Sequence, residues 1–195
     1  MDEATLLEWI PTLGLAIALA ACAGLRAWLP LLLTGALSRA GMLELGESFA
    51  FLGSNKALIL FGLASSIEIV ADKVPALDHA LDALSTLLRP AAGALLAAAV
   101  IGRFADPLTA LALGVAVGAP ASLVPHAAKS TLRGLSTGLT AGLANPILSF
   151  LEDVLALVLF VLAILVPVAV ALLVLFFTFL VTRRLLRRKP VVRPA

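Results

Sequence analysis

The stretch EIVADKVPALDH, residues 68 to 79, carries five ionisable side chains in a chain built mostly of apolar residues. Glu68 and Asp72 are four residues apart, so on a helix they share one face. Two carboxylates so close resist simultaneous ionisation, and such a pair could carry a proton or coordinate a cation. The alternative is that Lys73, or a base elsewhere, neutralises them in a purely structural role.

Asp78 and His79 follow in the same stretch, after Pro75. A carboxylate beside an imidazole suits a proton relay or a site for a hard cation. The alternative is the solvated face of a short amphipathic helix over residues 77–88. In that helix Leu77, Leu81, Leu84 and Leu88 lie opposite Asp78, Asp82, Ser85 and Arg89.

Arg26 lies inside the first apolar run, beside Gly24 and before Pro30. An arginine flanked by helix-weakening residues predicts a broken helix whose freed backbone groups line a polar cavity. Arg26 would then bind an anionic substrate group or serve as the counter-charge for Glu68 or Glu152.

The second half of the chain carries a basic face. His126, Lys129 and Arg133 lie at positions i, i+3 and i+7, which share one side of a helix. Such a face binds phosphate or carboxylate, and the alternative is that its long side chains reach lipid headgroups.

Glu152 and Asp153 follow Asn145-Pro146. If Pro146 begins a helix, as proline prefers, Asn145 caps it and Glu152 lies two turns inside. An acid at that depth needs a partner or a cavity. The identity of any bound metal stays open, and its candidate ligands are Glu68, Asp72, Asp78 and Glu152.

Enzyme motifs are missing from the sequence. It has no HExxH pattern, no nucleophile elbow and no phosphate-binding loop, and its one cysteine, Cys22, has no partner. The sequence therefore predicts a protein that is not an enzyme and has no cofactor.

The composition indicates a membrane protein. The chain of 195 residues is 62% hydrophobic and 13% charged, whereas a soluble domain carries about 25% charged residues. A span needs about 20 apolar residues, and we predict an all-α protein with six spans, including short amphipathic or broken helices. The spans lie within residues 10–37, 57–70, 91–101, 108–124 and 146–182, the last divided near Pro167. One long kinked helix over 146–182 would reduce the count to five.

The domain organisation follows from these spans. Residues 1–182 form one membrane domain with halves at 10–104 and 108–182, and residues 183–195 form a basic tail. Aligning LGLAIALAACAGLRA (13–27) with LGVAVGAPASLVPHA (113–127) predicts an inverted repeat of two three-helix halves. This alignment places Arg26 on His126, Glu68 on Glu152 and Pro90 on Pro167. A rival alignment pairs Asp78 and His79 with Glu152 and Asp153.

The basic tail predicts the orientation and the partners. Bases that flank a span mark the cytoplasmic side, so we expect the C-terminus in the cytoplasm and contacts with anionic lipids. No folded basic domain that could read nucleic acid is present. The size of the chain also suits a homodimer. The bases of the tail are Arg183, Arg184, Arg187, Arg188, Lys189 and Arg193.

Several strings resemble one protein family. ACAGLRAWLPLLLTG, IEIVADKVPALDHALDALSTLLRPAAGAL, HAAKSTLR and LANPILSFLEDVLAL are similar to the bacterial membrane family catalogued as domain of unknown function 4126, over residues 10 to 180. The resemblance implies a polytopic membrane protein and no catalytic residue. A looser likeness links Glu68 and Asp72 to small cation exchangers, in which two residues separate the acids instead of three.

These observations predict a small secondary transporter or channel-like carrier of the inner membrane, working by alternating access. Its cargo would be a cation, a proton or a small anion. The alternative is a membrane protein that binds lipid headgroups or partner helices, with its charges as salt bridges, and a lipid-modifying enzyme ranks last. The predicted site comprises Arg26, Glu68, Asp72, Asp78, His79, His126, Lys129, Glu152 and Asp153.

Overall fold

The computed structural model describes residues 3–73 and 75–186, and the side chains of residues 7–73, 84–180 and 182–184. The predicted all-α class is confirmed, since residues 3–73 and 75–186 contain no strand. The helices are α1 (Glu3–Leu25), α2 (Trp28–Arg39), a 3₁₀ helix (Glu47–Gly53), α3 (Asn55–Ala71), α4 (Pro75–Ile101), α5 (Pro107–Leu113), a π-helical turn (Gly114–Gly118), α6 (Ala119–Thr140), α7 (Asn145–Leu165) and α8 (Pro167–Leu186).

Five of the described stretches are long and apolar enough to cross a membrane: Leu7–Leu25, Leu84–Ile101, Pro107–Thr140, Asn145–Leu165 and Pro167–Arg184. The 3₁₀ helix and α3, bent by 58° relative to each other, form a sixth if they are taken as one span. The predicted range of five to six spans is confirmed, and the chain has the architecture of a multi-pass membrane protein.

Two predicted interruptions are confirmed. The first apolar run breaks at Arg26, because α1 ends at Leu25 and α2 begins at Trp28. The long run 146–182 divides at Val166, which lies between α7 and α8. α8 continues to Leu186, four residues past the predicted end of the membrane domain.

The prediction that Pro90 separates two helices is wrong. Pro90 lies inside α4, which also includes the segment 77–88 that was expected to be a separate helix. A proline inside a helix removes one backbone hydrogen bond, and neighbouring helices in a membrane can compensate for that loss. Likewise, the predicted span 108–124 continues without a break through the polar residues up to Thr140.

The amphipathic segment 77–88 was expected to turn its polar face toward solvent. For the side chains that are described, this expectation is wrong. Ser85 and Arg89 are buried, whereas Leu84 and Leu87 are exposed. The polar face points inward because the outside of a membrane helix faces hydrocarbon instead of water. The side chains of Asp78, His79 and Asp82 lie outside the described residues.

α1 is the central helix, and it packs against α4, α6, α7 and α8. Close packing depends on small residues. A Cβ at Gly24 of α1 would lie 2.1 Å from the carbonyl oxygen of Ser122 in α6, and a Cβ at Gly118 would lie 2.4 Å from the carbonyl oxygen of Gly93 in α4. Backbone-to-backbone contact therefore holds α1 against α6, and α4 against the π-helical turn that leads into α6.

The two halves and the inverted repeat stay predictions. The aligned residues have different local structures, since Arg26 lies at a break between helices and His126 lies inside α6. Pro90 lies inside α4, and Pro167 begins α8.

Candidate functional site

A buried cluster of charged side chains lies where the break between α1 and α2 meets α3, α4, α6 and α7. We call it the charge cluster. It brings together seven of the nine predicted site residues, and the side chains of the other two, Asp78 and His79, lie outside the described residues. Its described members are the bases Arg26, Lys73, Arg89, Lys129 and Arg133, the acids Glu68, Asp72, Glu152 and Asp153, and the polar residues His126 and Ser149.

Asp72, the residue that follows α3, is the centre of the cluster. Its carboxylate is 3% exposed, and a single oxygen, Oδ2, contacts three bases. Nη1 of Arg26 donates to it, Nζ of Lys129 lies at 2.9 Å, and Nη2 of Arg133 lies at 3.1 Å. A buried carboxylate requires such compensation, because removal from water penalises its charge heavily.

Arg26 connects the two halves of the chain. Its side chain is fully buried, and besides Asp72 it contacts Asp153, with Nη2 2.5 Å from Oδ1. The same nitrogen donates to Oγ of Ser149 at 3.0 Å. The predicted role as a counter-charge is thus seen, but the two acids are Asp72 and Asp153 instead of Glu68 or Glu152.

Glu68 caps the beginning of α2. Its Oε1 accepts a hydrogen bond from the backbone N–H of Ala27 at 3.0 Å, and its Oε2 accepts one from Trp28 at 3.3 Å. Unpaired N–H groups and the helix dipole make a helix N-terminus a favourable place for a carboxylate. The negative charge of Glu68 is therefore balanced mainly by backbone. Nη2 of Arg89 lies 3.8 Å from Oε1.

The two acids of α7 each bind bases from other parts of the chain. Arg133 binds Glu152 through two nitrogens, with Nε 3.1 Å from Oε1 and Nη2 2.7 Å from Oε2. Lys129 lies 3.1 Å from the same Oε2. Oδ2 of Asp153 lies 3.0 Å from Nζ of Lys73. The side-on geometry of the Arg133–Glu152 pair is the stronger arrangement of an arginine and a carboxylate.

His126 contacts Arg89 in α4. Its Nδ1 lies 2.5 Å from Nη1 of Arg89, and because arginine can only donate, Nδ1 is the acceptor in this contact. Nε2 lies 3.5 Å from Oγ1 of Thr86.

The predicted cap at Asn145 is wrong. α7 begins at Asn145 itself, after Ala144, and no side chain caps it. Nδ2 of Asn145 donates instead to Oγ1 of Thr137 in α6, at 3.3 Å. The side chain therefore joins α6 to α7 beside the charge cluster.

Each acid of the charge cluster has partners among the described residues. Within the described part of the chain, no three His, Cys, Asp or Glu side chains form a group that could hold a metal. The carboxylates of Asp72, Glu152 and Asp153 face bases, and the carboxylate of Glu68 faces backbone N–H groups. Five bases and four acids meet among the described side chains of the cluster.

Four members of the cluster were missed as site residues: the polar Ser149 and three bases. Arg133 was placed on the basic face but left out of the site, Lys73 was given only a neutralising role, and Arg89 was assigned to a solvated face. The available signal for Arg89 is its position: it lies four residues before Gly93, where α4 approaches the backbone of Gly118 and the side chain of Ser122.

A separate cavity of about 530 Å³ lies at the opposite end of α4 from the cluster. None of the predicted site residues lines it; its lining includes Glu44, Glu47, Arg103 and Phe104. Glu44 and Arg103 form an ion pair of 2.6 Å there that is open to solvent.

Comparison with known proteins gives one match. The sequence model of the family described as Domain of unknown function (DUF4126) matches residues 13–187. No curated protein and no solved structure matches the chain.

Proposed function

The chain belongs to the family described as Domain of unknown function (DUF4126), and we propose that it is a small secondary transporter or channel-like carrier whose charge cluster handles an anionic cargo. In this proposal the protein is not an enzyme. Its ion pairs break and form again while the cargo passes.

The observation that carries the proposal is the three-base environment of Asp72. Arg26, Lys129 and Arg133 converge on one carboxylate oxygen, and this is the arrangement that would hold an anionic group of a cargo. Asp72 occupies it as an internal anion. Because Lys129 and Arg133 also contact Glu152, they keep a partner when a cargo displaces Asp72.

The depth of the cluster supports the same proposal. Arg89 lies twelve residues before Ile101, the end of α4, which is about 18 Å at 1.5 Å per residue. The hydrocarbon core is about 30 Å thick. Each charged residue at such a depth costs roughly 2.5–3.5 kcal/mol on insertion scales, and charges inside membranes commonly mark transport pathways.

The ion pairs also suggest how access alternates. The contacts of Asp72 with Lys129 and of Arg26 with Asp153 join residues before position 104 to residues after it. A cargo that competes for these bases would weaken the connection on one side and so shift the population between two arrangements of the helices.

The transport proposal is tested by ion flux into liposomes. We expect the wild-type protein to carry a small anion, and Lys129→Gln to reduce its flux at least about tenfold, the effect of losing roughly 1.4 kcal/mol of binding. Flux is measured for phosphate, sulfate, chloride and small carboxylates. The matched control is Lys56→Gln, since Lys56 is exposed at the start of α3 and its loss should leave flux unchanged. Equal flux in both variants would contradict the proposal.

A second function is favoured by the short, direct ion pairs, several of which measure 2.5–3.1 Å. They suit a membrane protein that binds lipid headgroups or partner helices and uses the cluster only to hold its own helices together. A wild-type protein that moves none of these ions, together with a Lys129→Gln variant that is only less stable, would favour this function.

We also propose that the C-terminus lies in the cytoplasm of a bacterium, with the carrier in the inner membrane. Arg183 and Arg184 are exposed in the last turn of α8, and bases beside a span favour the cytoplasmic side. The remaining bases of the tail lie outside the described residues.

A further inference from the structure

Arg89 has an unused hydrogen-bonding edge. Its side chain is fully buried, and Nη1 contacts Nδ1 of His126. Within the described part of the chain, Nε and Nη2 have no hydrogen-bond partner. Among the described acids, Glu68 lies 3.8 Å from Nη2 and already accepts hydrogen bonds from the backbone of Ala27 and Trp28.

The free edge has a defined chemistry. Nε–H and Nη2–H of an arginine point in parallel from one side of the guanidinium, and they match two oxygens of a carboxylate or a phosphate. Leaving two such donors buried without an acceptor is unfavourable. An oxyanion that enters the cluster would satisfy both at once.

Glu68 restricts which oxyanion fits. Both of its oxygens accept from backbone N–H groups, and as a carboxylate Glu68 can only accept further hydrogen bonds. A fully ionised anion beside it would be repelled. An anion that keeps a proton could donate to Oε1 of Glu68 while its other oxygens accept from Arg89.

We propose that the Nε/Nη2 edge of Arg89, with Glu68 beside it, binds a phosphate group that retains a P–OH, namely inorganic phosphate or the singly ionised form of a phosphomonoester. This site rests on the proposed carrier function for its role, because the edge is buried and opens to a cargo only when the helices move. The same chemistry could come from a free phosphate or from a lipid with a monoester headgroup.

Binding of inorganic phosphate to the full-length protein in zwitterionic nanodiscs tests the site. We expect phosphate to bind at least about tenfold more tightly than sulfate or dimethyl phosphate, which lack the P–OH at neutral pH, because one hydrogen bond to a charged group is worth about that much. Arg89→Lys keeps the charge but loses the paired donors, and it should weaken phosphate binding at least about tenfold. Arg103→Lys, at the solvent-exposed ion pair with Glu44, is the matched control and should bind as the wild type does.

Further variants and lipids sharpen the result. Glu68→Gln should reduce the preference for phosphate over sulfate, because an amide can donate to a fully ionised anion. Nanodiscs that contain phosphatidic acid test the lipid source, and Arg89-dependent competition by this lipid would identify a headgroup as the ligand. If Arg89→Lys does not fold, the wild-type protein is examined by NMR instead. One of the ¹⁵Nε–H resonances of its buried arginines should shift with phosphate and not with sulfate.

The outcomes separate this site from the carrier proposal. Arg89-dependent phosphate binding without flux would overturn transport and support the site. Anion flux that Arg89→Lys leaves unchanged would overturn the site and support transport. Equal affinity of the wild type for phosphate and sulfate, or full phosphate affinity in Arg89→Lys, would also overturn it.

Discussion

Asp72→Asn is expected to lower the free energy of unfolding by about 3–5 kcal/mol, the usual cost of removing one partner from a buried ion pair. Asparagine preserves the size of the side chain but removes the negative charge that Arg26, Lys129 and Arg133 share. Three bases would then remain close together with fewer acids among them. Thermal or denaturant unfolding of the purified protein in one detergent measures the difference.

The control for this variant is Glu44→Gln. Glu44 pairs with Arg103 at 2.6 Å, but its side chain is 76% exposed, so its loss should change stability by less than about 1 kcal/mol. If Asp72→Asn were as stable as Glu44→Gln, the bases would not depend on Asp72, and the central position given to this residue would be wrong.

A double variant distinguishes the effect of charge on stability from the effect of side-chain shape. Asp72→Asn combined with Lys129→Met removes one acid and one base that contact each other. If electrostatic imbalance causes the loss of stability, the double variant should be more stable than the sum of the two single effects predicts. That result would show that Asp72 and Lys129 stabilise the protein through the balance of their charges.

The sequence was informative about where charges had to be buried. Arg26 inside an apolar run and Glu68 at the end of another could persist only with partners, and both lie in the charge cluster. The break between α1 and α2 was predictable for a related reason, because Gly24 and Pro30 flank the arginine. Long apolar runs likewise predicted most of the spans.

The orientation of Arg89 could not be predicted from the same pattern. Leucines and polar residues alternate at helical spacing over 77–88, and this periodicity defines two faces without stating which one is inside. In water the leucines would be buried. In a membrane the polar face turns inward, so Arg89 is buried while Leu87 is 74% exposed.

The choice of partners was also beyond the sequence. The chain offers several acids and bases of similar length, and their pairing depends on distances between helices that no local pattern contains. Arg26 contacts Asp72 and Asp153, whereas Glu68 contacts the backbone of α2. These distances are set by the small residues at which α1, α4 and α6 meet, and the most demanding of these contacts is the one at Gly24.

Gly24→Ala is expected to destabilise the protein by at least about 3 kcal/mol, at the upper end of the usual cost of overpacking. The new Cβ would lie 2.1 Å from the carbonyl oxygen of Ser122 and 2.9 Å from its carbonyl carbon. These are backbone atoms of α6, so a side-chain rotation cannot relieve the overlap and the two helices must separate. The same movement would take Lys129 away from Asp72, so anion binding should fall together with stability.

Gly134→Ala is the matched control, because Gly134 lies inside α6 and a Cβ there would meet no atom within 4 Å. Alanine favours a helix over glycine by about 0.8–1 kcal/mol, so this variant should be slightly more stable than the wild type, and the two substitutions should have opposite signs. The comparison is made by unfolding both variants under one set of conditions. A stabilised Gly24→Ala protein would mean that α1 and α6 do not touch at Ser122, and the charge cluster would then lose the contact that aligns its two halves.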